Sequence, residues 1–260
     1  MTKIALFGAG GKMGRRLSAR LKDCEYDMRY VEIGEEGMRV LAELGVSVTP
    51  QRDAVADADA VVFAVPDVLL STITAEVIPQ LQSGAMAMFL DVAAALAGAL
   101  HMRHDVAYFF FHPCHRNVLK PSRAGEHIVC ALMQGSDQHY ELGARIARDI
   151  YSPVIEAHRL TVEQMGLLEP GLGETIAAAC ASMLREAADE VIRQGVPKAA
   201  VEEFLLGHMT CLAAFFGDGW LSDGAKLMVQ HGRRHLFKDG WQKLLTLEDV
   251  IEQSKIAISG

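Results

Sequence analysis

The chain has 260 residues, half of them hydrophobic and 22% charged, which excludes a disordered chain or a disulfide-stapled miniprotein and suits one large α/β domain or a larger unit followed by a smaller second domain. Twenty-five basic side chains against 33 acidic ones leave a net charge of −8, which offers no electrostatic footprint for a nucleic acid. Gly, Pro or charge interrupts every apolar stretch before the roughly eighteen residues of a membrane span, and the five scattered cysteines show no CxxC spacing, so a reducing cytoplasm is the expected location.

The strand signal begins at once, in residues 4–7, with nothing ahead of it that reads as a leader. Further strand-length apolar runs follow at 28–31, 60–65, 86–90 and 106–111, with amphipathic or linker segments between them. That alternation predicts an α/β fold with a doubly wound parallel sheet of Rossmann type. The runs end in residues that cannot continue a buried strand: Gly8 and Gly10, Glu32, Pro66-Asp67, Asp91, and His112-Pro113. Their carboxyl ends should line one crevice, where ligands of such sheets bind. Residues 127–133 predict another strand, and 138–150 a helix with Leu142, Ile146 and Ile150 on one side.

Ser152-Pro153 marks the expected boundary between a nucleotide-binding domain at 1–153 and an all-helical domain at 154–260. Residues 176–192 have helical spacing, and Gly195-Val196-Pro197 closes that helix and opens the next, which carries Val201, Phe204, Leu205, His208 and Leu212. The apolar stretch 205–216 is too short for a bilayer and reads as a buried or subunit-interface helix, so a homodimer is expected.

Gly8-Ala9-Gly10-Gly11-Lys12-Met13-Gly14 stands directly between the first strand and a helical stretch at 15–21. Glycines there allow a tight turn and a close approach to a pyrophosphate, whose charge meets the free N–H groups of the helix N-terminus. The spacing is GxGxxxG, one residue longer than the usual fingerprint. Glu32, eighteen residues beyond Gly14, is placed to accept hydrogen bonds from an adenosine ribose and so favours NAD over NADP, although Arg15 and Arg16 could compensate a 2′-phosphate. Pro66 and Asp67 should run beneath the nicotinamide ribose.

Two clusters carry candidate chemistry. His112-Pro113-Cys114-His115 ends the very apolar strand 108–111, and an imidazole with a pKa of about 6.5 can take a hydroxyl proton at neutral pH. His112 is the first candidate for that base; a strand-capping role and metal ligation by His112 and His115 are the alternatives. The second cluster surrounds Pro170, which removes a helical N–H between Gly166, Gly171 and Gly173 and predicts a kink or break. Glu163, Glu169 and Glu174 around it are candidates for a carboxylate base, a substrate-hydroxyl acceptor or oxygen ligands to a divalent cation. His158 and His208 are weaker acid/base candidates. No lysine occurs between Lys120 and Lys198, the region where β-hydroxyacid dehydrogenases place their catalytic lysine, so histidine or glutamate must serve.

With these motifs the chain resembles the NAD-dependent D-apionate oxidoisomerases, a group within the 6-phosphogluconate dehydrogenase-like superfamily that is also similar to a shortened ketol-acid reductoisomerase. Residues 5–14, 112–115, 128–135, 161–165, 168–170, 174–175 and 222–226 carry the likeness, and the loop 116–125 reads shorter than the family's. The resemblance implies oxidation of a branched sugar acid at C2 by NAD, followed by migration of a hydroxymethyl group to the new ketone carbon, giving 3-oxo-isoapionate. It implies two proton acceptors, for which His112 and one of Glu163, Glu169 and Glu174 are assigned. A divalent cation on His112, His115, Glu163 or Glu169 stays open, since magnesium on helix carboxylates drives the related reductoisomerase migration. Simple dehydrogenation of a hydroxy acid or prephenate-like substrate, and non-catalytic NAD(H) sensing, are the other readings.

Overall fold

The computed structural model describes residues 1–114, 125–213 and 223–259. Strands β1 (Thr2–Phe7), β2 (Tyr26–Val31), β3 (Ala60–Phe63), β4 (Met86–Phe89), β5 (Ala107–Pro113), β6 (Glu126–Gln134) and β7 (Val154–Leu160) form one sheet in the order β2-β1-β3-β4-β5-β6-β7. Along the chain the helices are α1 (Gly14–Leu21), α2 (Glu35–Glu43), α3 (Gln51–Val55), α4 (Asp67–Val77), α5 (Ala93–Leu96), α6 (Asp137–Ile150), α7 (Val162–Gly166), α8 (Ala178–Arg193), α9 (Lys198–Ala213), α10 (Asp223–Leu236) and α11 (Leu247–Ser259). A π-helix, Leu167–Ala177, joins α7 to α8.

Alternation along the central strands sorts their side chains into two cores, because successive residues of a strand point to opposite faces. Ala5, Phe7, Val61, Phe63, Ala87, Phe89, Tyr108 and Phe110 face one way, onto Val55 of α3, Val77 of α4, Ala94 of α5 and Met165 of α7. Ile4, Leu6, Val62, Met86, Met88, Phe109 and Phe111 face the other, onto Leu17 and Leu21 of α1 and Ile146 and Ala147 of α6. With both faces covered, the central strands are apolar throughout, which is why they stood out in the sequence as continuous runs. The chain winds outward from β1 in both directions, so the strand order reverses between β1 and β3, and the crevice at that switch point opens above their carboxyl ends.

Four expectations change. β6 runs antiparallel to β5, whereas the other pairings in the sheet are parallel. A parallel pair needs a crossover that spans the sheet, usually through a helix, whereas twelve residues separate Pro113 from Glu126, enough for an antiparallel return. The boundary expected at Ser152-Pro153 is crossed by the sheet: one compact unit comprises Met1–Pro170 with Leu247–Gly260, and the other Gly171–Thr246. Strand β7 escaped notice because Val154–Leu160 holds Glu156, His158 and Arg159, the mixed composition of an edge strand held by pairing on one side only. The last helix also departs from a wholly separate C-terminal domain, since α11 packs on α4, α5 and α7 of the first unit.

The second unit is helical as expected, built around α8, α9 and α10. Pro170 neither breaks nor sharply ends the helix. The chain takes π-helical turns around it, an irregularity that accommodates the missing N–H. Among the described residues no helix is long and apolar enough to cross a membrane.

Candidate active site at the sheet's switch point

Each predicted turn meets at the carboxyl edge. Gly8 leaves β1 with φ +68°, and a Cβ there would stand 2.5 Å from the Ala64 carbonyl oxygen, so the β1 and β3 exits touch through a residue that must be glycine. Gly14 opens α1 so close to the same turn that a Cβ would lie 1.9 Å from the Gly8 carbonyl oxygen. The first turn of α1 contains no acid, and Met13 at its N-cap makes no side-chain cap, so the positive end of the helix is left open to an anion on its own turn. These features fit a pyrophosphate.

Above this turn lies a cavity of about 410 Å³, lined by Gly11, Lys12 and Met13 after β1, by Ala64, Val65, Pro66 and Asp67 after β3, by Leu90 and Asp91 after β4, and by His112 and Pro113 at the end of β5. Tyr151 closes its α6 side. Four strand ends therefore contribute to one space. Gly8, Gly10 and Gly14, of the same turn, are not among the residues that line it.

Glu32 sits at the end of β2 with its carboxylate already engaged. Its Oε2 accepts from the Gly10 N–H at 2.9 Å, and its Oε1 accepts from the Ile33 and Gly34 N–H groups at 2.9 Å each. A carboxylate offers about four acceptor sites, so a ribose hydroxyl still finds a place, and a phosphate ester would meet a fixed negative charge. This acid thus holds the glycine turn from the end of β2.

His112 continues the alternation of Tyr108 and Phe110 and so turns to the face that carries α5 and α7. There its Nε2 lies 3.8 Å from Oε1 of Glu169, at ion-pair distance, with the two side chains 26% and 15% exposed. The π-helix delivers Glu169 inward beside Pro170, which is buried. Glu163 is not brought to the cavity: it is exposed in the first turn of α7, where the Thr161 hydroxyl and a backbone N–H hold its carboxyl below the usual range. Glu174 is an exposed residue of the second unit, five positions further along the π-helix. His115 and Ser222, with the loop 116–124, lie outside the described residues.

His158 stands on β7 and His208 on α9, where its ring stacks on Phe204 at 4.0 Å; neither lines the cavity. Cys114 is an exposed thiol just past β5. Among the lining residues that sequence reasoning did not assign to the site, two carry polar groups, Asp91 and Tyr151. Asp91 was legible only as a strand terminator; it accepts from the Ala93 N–H at 2.9 Å and so starts α5 at the cavity wall. Tyr151 had no signal at all, because it reaches the site through the packing of α6, with its ring edge-on to Phe111 at 6.0 Å. Its hydroxyl is buried without a hydrogen-bond partner among the described residues, and burial pushes its pKa well up.

A glycine turn beneath a helix N-terminus, an acid at the end of the second strand and a histidine–carboxylate pair across the same crevice define a nucleotide-linked oxidoreductase. Residues 1–115 match the family of acetohydroxy acid isomeroreductase NADPH-binding domains, and residues 115–258 that of phosphogluconate dehydrogenase (decarboxylating) C-terminal domains. The D-apionate oxidoisomerase of Cupriavidus necator is 43% identical, over 96% of this chain and 97% of its own, and that of Rhizobium rhizogenes is 41% identical, over 100% and 98%. A solved structure of a semialdehyde dehydrogenase NAD-binding protein from Cupriavidus necator, in complex with calcium and NAD, is 42% identical and superposes with a TM-score of 0.93 over 99% of both chains. The chain belongs to the D-apionate oxidoisomerase family.

Proposed function

We propose that the chain oxidises D-apionate, or a branched sugar acid of the same pattern, at C2 with NAD and then moves a hydroxymethyl group from C3 to C2. The observation that carries this reading is the single cavity in which the glycine turn and His112 meet, with Glu169 beside the imidazole. Lys12, Met13 and the N-terminus of α1 would hold the pyrophosphate, Glu32 the adenosine ribose, and Pro66 and Asp67 the nicotinamide end. NAD would supply the hydride acceptor. Glu32 supports NAD over NADP, even though the N-terminal family match is described as NADPH-binding.

His112 takes the C2 hydroxyl proton as the hydride leaves, and Glu169 takes the proton of the C3 alcohol. Collapse of that alkoxide to a ketone expels the hydroxymethyl group, with its bonding pair, onto the C2 carbonyl carbon. The C2 oxygen, now an alkoxide, recovers the proton from His112. One proton in balance leaves through Glu169 for each hydride transferred. Glu163 and Glu174 contribute no step in this scheme, and a divalent cation is not required to close it. A homodimer belongs to the same reading, supported by Phe204, Leu206 and Met228, which stand 67%, 57% and 67% exposed on the helices of the second unit.

The test is incubation with NAD and a panel of branched and linear aldonic acids, following NADH absorbance and then product NMR. The expected outcome is turnover of the branched acid with a rearranged carbon skeleton, lowered about 10²–10⁴-fold in His112→Asn with NAD affinity retained. An unrearranged ketone would instead make the protein a plain dehydrogenase, and tight NAD binding without turnover a redox sensor.

A further inference from the structure

At the edge of the sheet, outside the cavity, three metal-ligating side chains converge. His127 on β6 is paired in register with Glu156 on β7, and His158 follows two residues later on the same strand, so strand alternation brings all three to one face. His127 Nδ1 faces His158 Nε2 at 3.2 Å, and Glu156 Oε1 lies 3.6 Å from His158 Nδ1. One donor atom from each residue falls within 4.8 Å of the others. Among the described residues this is the one group of three or more His, Cys, Asp or Glu side chains so arranged.

We propose that His127, Glu156 and His158 bind a divalent transition-metal ion of the zinc class. Two imidazoles and one carboxylate form the donor set of open zinc sites, with three protein ligands and a fourth position left for water. Tetrahedral zinc at its usual bond lengths separates its ligands by roughly 3.4 Å, close to the spacing already present between the two rings. The carboxylate needs only to swing from Nδ1 toward the gap between the rings. Glu156 is 60% and His158 41% exposed, so the carboxylate has room to turn and a hydrated ion has an approach from solvent.

The imidazole pair is itself suited to this exchange. Two facing ring nitrogens can share only one proton, and removing it leaves two lone pairs aimed at one point. Nitrogen donors favour zinc over calcium or magnesium, which take oxygen ligands. Such an ion would clamp edge strand β7 to β6. On the same sheet face, His112 pairs with Val129 and Val129 with His158, which puts the site two strand spacings, roughly 10 Å, from the candidate base.

The experiment is calorimetric titration of untagged, chelator-treated full-length protein with ZnCl2, with CaCl2 as the hard-ion control. The variants are His127→Ala, His158→Ala, Glu156→Gln, and a paired His231→Ala, His235→Ala. That last pair, whose rings lie 5.0 Å apart on α10, serves as a control histidine pair away from the proposed site. One zinc equivalent is expected in the parent and in the α10 variant, with affinity weakened more than about tenfold in His127→Ala and His158→Ala and falling as protons compete at acid pH. Cobalt absorption bands of a tetrahedral site should appear and vanish with the same substitutions. No zinc uptake by the parent, or uptake unchanged in both single histidine variants, overturns the proposal. Glu156→Gln, on an exposed side chain, retains the fold and separates a lost ligand from a damaged strand.

Discussion

The Glu32 carboxylate accepts from the Gly10 N–H of the glycine turn, and the proposed function also gives it the adenosine ribose. Removing it should therefore weaken NAD by roughly tenfold or more, the cost of losing hydrogen bonds to a charged acceptor, and narrow the preference against NADP. KM ratios for the two cofactors in Glu32→Ala provide the check, and an unchanged ratio would reject the assignment. The spacing from the glycine turn singled this residue out, and the fold sets it against that turn. Spacing did not rank Glu163, Glu169 and Glu174, since all three flank the same proline. Only the direction of each side chain separates them: Glu169 meets His112, Glu163 stays with Thr161 at a helix start, and Glu174 belongs to the other unit.

At the scale of elements, the aromatic ladder across β3, β4 and β5 holds the strands whose ends form the cavity. Phe89 stacks on Phe63 at 5.1 Å and on Phe110 at 5.2 Å while only 1% exposed. Phe89→Ala should cost about 3–5 kcal/mol, read as a lower urea midpoint with unchanged slope, because the rings around the void cannot close it. A loss under about 1 kcal/mol would mean that the ladder repacks freely. The central strands were readable because both their faces are buried. β7 was not, since an edge strand takes its conformation from its partner and carries polar residues outward. The π-helix was half readable: Pro170 and its glycines announced an irregularity, but whether the helix stops, kinks or widens depends on the packing that receives it.

For the molecule as a whole, a charged clasp closes the amino-terminal end of the sheet opposite the cavity. Asp57 pairs with Lys3 of β1 and Arg29 of β2, and the two cations depress its carboxyl pKa from 3.8 to about 2. A depressed acid stabilises the fold above its unfolded pKa and loses that contribution as pH falls through the folded value, so the effect should disappear between about pH 4 and pH 2. Thermal midpoints across that window should fall more steeply for the parent than for Asp57→Asn; parallel curves would remove the clasp from the account. The sequence by itself determined the sheet's central strands, the glycine turn, the acid at its proper interval and the helical second half, because each depends on local geometry and on periods of two or 3.6 residues. Tertiary structure alone decided the antiparallel turn of β6, the return of α11 to the first unit, the partner of His112 and the meeting of His127, Glu156 and His158. Those depend on which distant segments pack together, and that free energy is shared among surfaces no single stretch of chain contains.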